Sequence, residues 1–527
     1  MLMKNRIPDI TTRYLHTLVL LLSAAVCVKS AYSQPNNNYQ QPVFTDNNRL
    51  QRIQVVLPVI DSLFRNYAIQ HHYPAIAYGL VVDGQLVHSG AFGYTNVAQK
   101  ALATTQSLFR IASMTKSFTA MAILKLRDEG KLQLDEPAYK YIPELKQLHY
   151  LTTDASPVTI RQLLTHAAGF PEDNPWGDRQ LQDSDADLTA LINKGVSFSN
   201  APGVAYEYSN LGFTLLGHIV SKVSGMPYEA YITENILQPL GMNHTVWEYT
   251  KVPPQQLAHG YRWLNEQWVE QPMLHDGAFG AMGGLITSIE DFSKYMALHQ
   301  SAYPPSNNKD AGPVKRSSLR EMQHPWNISA LSPAYTFPGG RVCPAVSAYC
   351  YGLRWMMDCD NRVYVGHTGG LPGFGSNWQI LPEYGIGVMS FANLTYAGTS
   401  TINLQVLDTL ITLAQLKPRQ LPPSSILQQR RDELMKVLPD WNNAANSNIF
   451  AENFFMDYPL DSLKKEAKGI FADAGSIIKV GDVIPQNNLR GTFIIEGGKR
   501  NIEVTFTLTP ENPPLIQEYH IKEVEKK

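Results

Sequence analysis

The chain has 527 residues, 44% of them apolar and 17% charged, with a formal net charge of −2. That is too long for one ordinary domain and apolar enough for a sizeable core, so two domains are expected. The balanced charge, with no lysine-rich run before the last residues, excludes a basic field for nucleic acid.

Lys4, Arg6 and Arg13 precede an apolar stretch from Leu18 to Val28 that is too short to span a bilayer comfortably. Ala31-Tyr32-Ser33 then places small residues at cleavage positions. Residues 1–33 therefore read as a signal peptide cut after Ser33, which makes the chain secreted or periplasmic with no membrane span left after cleavage. An uncleaved anchor is the alternative, and bulky Val26 argues against a lipid on Cys27. His71-His72 has no partner at metal spacing, and neither His-Glu-x-x-His nor Cys-x-x-Cys occurs, so no metal or cofactor is expected.

Ser113-Met114-Thr115-Lys116 opens a run that reads as an amphipathic helix. Met114, Phe118, Met121, Ile123 and Leu124 supply apolar surface, Ala120 and Ala122 favour helix, and Gly130 is the stop. A serine hydroxyl is a poor nucleophile at neutral pH, so an enzyme that uses one places a base beside it. Positions i and i+3 share a helix face, so Lys116 can reach the Ser113 oxygen. The pattern alone decides nothing, because it recurs at Ser306–Lys309, Ser462–Lys465 and Ser476–Lys479. His166, after Leu163-Leu164, reads as structural rather than as a second base. Trp176, within Asp173-Asn174-Pro175-Trp176-Gly177-Asp178, is either a substrate wall or a loop anchor.

Tyr208-Ser209-Asn210 follows Pro202-Gly203 and precedes the apolar run Leu211 to Val220, a context that Tyr94–Asn96 lacks. Cys343, Cys350 and Cys359 are odd in number. Cys343–Cys350 or Cys350–Cys359 is the nearest pair, and three free thiols are the alternative. His367-Thr368-Gly369 occurs once, and the glycines at 366, 369, 370, 373 and 375 match no phosphate-binding loop, which leaves a turn between two strands. Residues 416–447 read as a linker around Pro418, Pro422-Pro423 and Asn442-Asn443, with a short helical run inside. In residues 448–527, Ile449, Phe450, Phe454, Phe455 and Leu460 suggest helix. Residues 491–496 and 502–508 then alternate as a hairpin turning at Gly497-Gly498, with a third strand over Tyr519 to Val524, which makes a small α+β module.

With these motifs in this order, the chain resembles the serine β-lactamase and penicillin-binding protein superfamily, whose signatures include Ser-x-x-Lys. Within it, the chain is similar to the branch of class C β-lactamases, D-aminopeptidases, D-alanyl-D-alanine carboxypeptidases and related esterases. Phe109-Arg110-Ile111-Ala112, Gly130 to Asp135, Leu163 to Gly169, Pro239 to Met242 and Gly283 to Ser288 carry the resemblance further, over about residues 45–415. It implies an α+β fold: an antiparallel sheet flanked by helices, plus an all-helical subdomain.

The resemblance also implies roles. Ser113 would be acylated, and Lys116 with Tyr208 would move the protons. Asn210 would bond Lys116 and the substrate amide. His367, Thr368 and Gly369 would form an edge strand with His367 and Thr368 facing the substrate, and the backbone N–H groups of Ser113 and Gly370 would make the oxyanion hole. β-Lactamases usually carry lysine where His367 stands, which puts efficient penicillin hydrolysis in doubt. A histidine charged only below about pH 6 would favour carboxylate substrates only there. The expected function is a serine hydrolase acting on amide or ester bonds of D-amino acid or cell-wall-like peptides or small esters. The alternative is a binding protein or sensor that kept the fold and lost the chemistry.

Overall fold

The computed structural model describes residues 39–526, so the segment expected to be a signal peptide lies outside the described residues. The chain divides into two compact units, residues 42–420 and the chain from Leu421 onward.

The first unit is built on a nine-stranded antiparallel sheet. Its strands are β1 (Ala75–Val82), β2 (Gln85–Asn96), β3 (Ala101–Leu102), β4 (Asn327–Thr336), β5 (Val342–Tyr349), β6 (Arg354–Asp358), β7 (Val363–Leu371), β8 (Phe374–Leu381) and β9 (Ile386–Ala392). The spatial order is β3-β2-β1-β9-β8-β7-β6-β5-β4. Every residue of β1 is buried, although a strand with one face in water would alternate. Both faces are covered: Ala77 and Val81 enter one apolar cluster, while Ile76, Tyr78, Leu80 and Val82 enter another. Helices α1 (Arg49–Gln70) and α5 (Thr399–Leu413) supply the second cluster.

The first cluster holds α2 (Lys116–Asp128), α3 (Asn210–Ser224) and α4 (Ile289–Gln300). The expected amphipathic face of α2 is absent, because Lys116 to Leu124 and Leu126 are all buried. A helix enclosed on every side lies in a core rather than on a surface. Phe118 shows this, stacked on Tyr295 of α4 at 3.8 Å between ring centroids. Gly130 ends the run in the left-handed region at φ +74°, as its position suggests.

Cys343 and Cys359 form a disulfide with Cα atoms 5.8 Å apart, and Cys350 is free and buried. Neither pairing expected from sequence separation occurs. The reason is hairpin register: β5 and β6 are antiparallel, with Ala345 opposite Asp358, which brings residue 343 beside residue 359 and leaves Cys350 near the turn.

In the second unit the expected linker is largely folded. Helix α6 (Ser425–Val437) lies inside residues 416–447, and Leu427, Leu434, Leu438 and Trp441 join the apolar core of this unit. Proline and asparagine punctuation therefore marks turns at the ends of an element here. The core is completed by α7 (Leu460–Ala474) and a five-stranded sheet of β10 (Ile477–Val480), β11 (Ile484–Asn487), β12 (Arg490–Gly497), β13 (Asn501–Leu508) and β14 (Ile516–Val524). β12, β13 and β14 coincide with the alternating segments, while β10 and β11, which share one edge of β12, carry no such signal. Among the described residues no helix is long and apolar enough to cross a membrane.

Candidate active site

Phe109-Arg110 pairs with Ile286-Thr287, and the chain then turns through Ala112 at φ +50°, an uncommon conformation for a residue with a Cβ. A 3-10 turn, Ala112–Thr115, places Ser113 three residues before the start of α2, with the residue 7% exposed. Strand β7 presses directly on this turn. A Cβ at Gly369 would stand 2.1 Å from the Ile111 carbonyl oxygen, to which Ser376 Oγ of β8 also donates at 2.7 Å. Gly369→Ala should therefore push β7 off the nucleophile turn. We expect kcat to fall at least tenfold, with a lower melting temperature, read by steady-state kinetics and thermal denaturation.

Lys116 is fully buried. Its Nζ donates to Ser113 Oγ at 2.9 Å, Asn210 Oδ1 at 2.7 Å and the Met282 carbonyl at 2.9 Å. Burial disfavours the ammonium and lowers the lysine pKa from 10.5 to about 7, against the opposing pull of Asp178 and Asp173. Near neutral pH the lysine is thus poised between ammonium and neutral amine, with Nζ beside the serine oxygen. The other copies of the motif differ: Ser462, Lys465, Ser476 and Lys479 are all exposed, and half-buried Ser306 accepts from Arg316 while Lys309 is exposed.

Tyr208 and Asn210 enter at the start of α3. Tyr208 hydrogen-bonds with Ser113, its ring centroid lies 5.0 Å from Lys116 Nζ, and burial holds its hydroxyl protonated well above the usual tyrosine range. The helix start is tied down by Asp173, which accepts from the N–H groups of Asn210 at 2.6 Å and Leu211 at 2.8 Å. Asn210 is fully buried and gives its amide to Asn174 Oδ1 at 2.6 Å, so it holds Lys116 but has no face open to a substrate amide.

His367 departs from expectation. It projects on the same side of β7 as Val365 and Gly369, is buried, accepts from the Tyr349 hydroxyl at 2.9 Å and donates through Nδ1 to the Thr368 carbonyl at 2.5 Å. Burial, with Arg354 and Lys116 nearby, pushes its pKa well below 6.5. It remains neutral and cannot become a substrate-binding cation near pH 6.

The nearby cation is Arg354, which the sequence analysis passed over. It is exposed on β6, its guanidinium carbon lies 5.4 Å from the Tyr208 ring, and it hydrogen-bonds with Tyr206. It also borders a cavity of about 170 Å³ lined by Tyr364, Gly366, Thr368, Ser400 and Leu404, which none of Ser113, Lys116 and Tyr208 lines. Its one sequence signal is an arginine heading the apolar run Trp355-Met356-Met357. β7 is also not an edge strand, since the sheet continues through β6, β5 and β4. Its pairing with β6 nevertheless stops at Gly366 opposite Arg354, so His367 to Leu371 lie past the end of that neighbour.

His166 is structural: buried, it accepts from the Ser209 N–H at 3.1 Å through Nδ1 and packs on Tyr208 and Tyr349. Trp176 is 46% exposed, edge-on to Phe279, and lines a cavity of about 340 Å³ with Phe170, Leu191 and Leu211. Pro372-Gly373 forms the tight link between β7 and β8, with Gly373 at φ +88°. Among the described residues no group of three or more His, Cys, Asp or Glu side chains could hold a metal.

The family model described as Beta-lactamase matches residues 60–410. The chain belongs to this family. It is 28% identical over 380 residues to Protein flp of Staphylococcus aureus (strain MW2), covering 71% of this chain and 70% of that one. It is 30% identical over 274 residues to Beta-lactamase-like protein 2 of Dictyostelium discoideum, about half of each chain. The octameric penicillin-binding protein homologue from Pyrococcus abyssi superposes with a TM-score of 0.57 at 23% identity, over 88% of this chain and 99% of its own. A class C β-lactamase mutant, Y150F, gives 0.53 at 20% identity, over 67% and 97%. These likenesses establish the β-lactamase and penicillin-binding-protein fold.

Proposed function

We propose that the protein is a secreted serine hydrolase that forms an acyl-enzyme on Ser113 and cleaves amide or ester bonds beside a free carboxylate, as in D-amino acid or cell-wall-like peptides. The observation that carries this is the fully buried Lys116 amine, 2.9 Å from the Ser113 hydroxyl with its pKa lowered to about 7. Lys116 takes the Ser113 proton while Oγ bonds to the substrate carbonyl carbon. The backbone N–H groups of Ser113 and Gly370 receive the oxyanion, a contribution of roughly 3 kcal/mol per donor in hydrolases of this kind. Tyr208, protonated and bonded to Ser113, delivers a proton to the departing amine or alcohol and is recharged from Lys116. Water then releases the acyl group by the reverse path.

Substrate carboxylate recognition falls to Arg354, beside Tyr208 at the free edge of β7, rather than to neutral His367. Because Arg354 stays charged at every working pH, carboxylate preference should not depend on acidification.

A fluorophosphonate should leave a mass-spectrometric adduct on Ser113, and no adduct would reject the reading. Among D-alanyl peptides, D-amino acid amides, p-nitrophenyl esters and nitrocefin, the carboxylate-bearing substrates should lose about 10- to 100-fold in kcat/KM in Arg354→Ala. That is the loss of one charge-assisted hydrogen bond. Neutral esters should change less than about threefold. Equal losses for both classes would remove Arg354 from carboxylate recognition.

A further inference from the structure

Between the nucleophile helix and Tyr208, the loop that includes Asp173 and Trp176 carries a second carboxylate that no part of the chemistry above uses. Asp178 is 2% exposed. One of its oxygens accepts from the Tyr396 hydroxyl at 3.0 Å, and the other is buried with no hydrogen-bond partner. Among the described residues Asp178 makes no ion pair with a basic side chain, which is costly for a buried carboxylate unless a charge nearby compensates it.

Geometry points that compensation at Lys116. Gly177, the preceding residue, packs so closely on Asn210 that a Cβ there would lie 2.8 Å from the Asn210 Cβ, and Asn210 Oδ1 is itself bonded to Lys116. From the other side, the Tyr396 ring that holds Asp178 lies against Gly370, whose Cβ position would be 2.8 Å from the ring. The carboxylate is thus fixed between the two walls of the cleft. We propose that Asp178 is the buried counter-ion of Lys116, a positioning residue that stabilises the ammonium formed when Lys116 takes the Ser113 proton.

The proposal rests on the reading of Ser113 as the nucleophile. In the step concerned, the proton leaves Ser113 Oγ for Lys116 Nζ as Oγ bonds to the electrophile, and the new positive charge appears in a site sealed from water. Of the charges around Lys116, Asp178 has the largest effect; burial raises the Asp178 pKa above the usual carboxylate value, and Lys116 is the charge that most opposes that rise. Asp173, Arg354, Tyr208, His166 and His367 also face this lysine. Asp173 is occupied in capping α3, and both histidines are held neutral, which leaves Asp178 as the uncommitted anion.

The test uses the full chain and a neutral fluorophosphonate, whose own charge does not change with pH. Attack by Ser113 breaks the P–F bond and releases fluoride, and the second-order rate of labelling is measured from pH 5 to 9. In wild type the rate should fall on the acid side as Lys116 becomes protonated. Asp178→Asn keeps the shape and can still accept from Tyr396. It should move that acid limb down by about one pH unit and lower the high-pH rate about tenfold, since a base without its counter-ion is weaker. Asp178→Ser should do the same and serves if the asparagine variant does not fold. A limb that stays at the wild-type pH in a folded neutral variant, or moves upward, overturns the counter-ion role while leaving the nucleophile intact. A wild-type protein that takes no label on Ser113 sinks both.

Discussion

Ser113→Ala should lower turnover of every competent substrate by about four orders of magnitude or more, and should abolish the fluorophosphonate adduct, with the melting temperature nearly unchanged. The size follows from the mechanism, because covalent acyl transfer has no route except through the Ser113 oxygen. The small effect on stability follows from the site: the hydroxyl contributes one hydrogen bond from Lys116 and one with Tyr208, and alanine fits the same turn. Ser462→Ala and Ser476→Ala, both at exposed copies of the same motif, should be silent. More than a few per cent residual activity in Ser113→Ala would show that another group is acylated.

Lys116→Met should cost about 10² to 10⁴-fold in kcat/KM, the usual worth of a positioned general base. It should also change the shape of the pH profile. In wild type, kcat/KM should rise through about pH 7, because only the neutral amine can take the Ser113 proton, and the methionine variant should lack that limb. Stability should move the opposite way. The folded-state pKa lies below the unfolded value, so the burial of this lysine destabilises the protein fully below about pH 7, and that effect fades as pH rises toward 10.5. Methionine, similar in length and without charge, should therefore raise the melting temperature at pH 6 and by progressively less at pH 9. A variant equally destabilised at both values would mean that Lys116 is held by its hydrogen bonds more strongly than it is penalised by burial.

The parts of the site legible in the sequence are those where one residue type does a local job. Ser113 and Lys116 are three positions apart, and a single turn brings them together. Tyr208 and Asn210 flank the N-cap of a helix that the apolar run after them announces. What failed is whatever depends on register or on distant packing. The disulfide follows from Ala345 facing Asp358, which the spacing of three cysteines does not encode. The neutral state of His367 follows from Tyr349 and from burial under residues far away in the chain, so a reading from its ordinary pKa gives it the wrong charge. Arg354 and Asp178 belong to no motif, and the Met282 carbonyl on Lys116 is a backbone group that no side chain announces. The helix of residues 425–437 was missed as part of a core for a related reason: its flanks read as breaks, while its apolar residues are claimed by a sheet some sixty residues later.

The stretch of β7 past Gly366, without a neighbour on the β6 side, bears on handedness. A substrate backbone that adds to this edge as an extended segment is gripped through its own N–H and C=O groups, so the direction in which its Cα substituent leaves is set by configuration alone. Inverting one stereocentre swaps hydrogen and side chain while the main-chain grip stays the same. The two enantiomers would then direct their side chains differently from one and the same main-chain grip. Selection between D and L residues can therefore arise from the ladder itself, without a pocket shaped for any particular side chain, and would tolerate wide variation in what that side chain is.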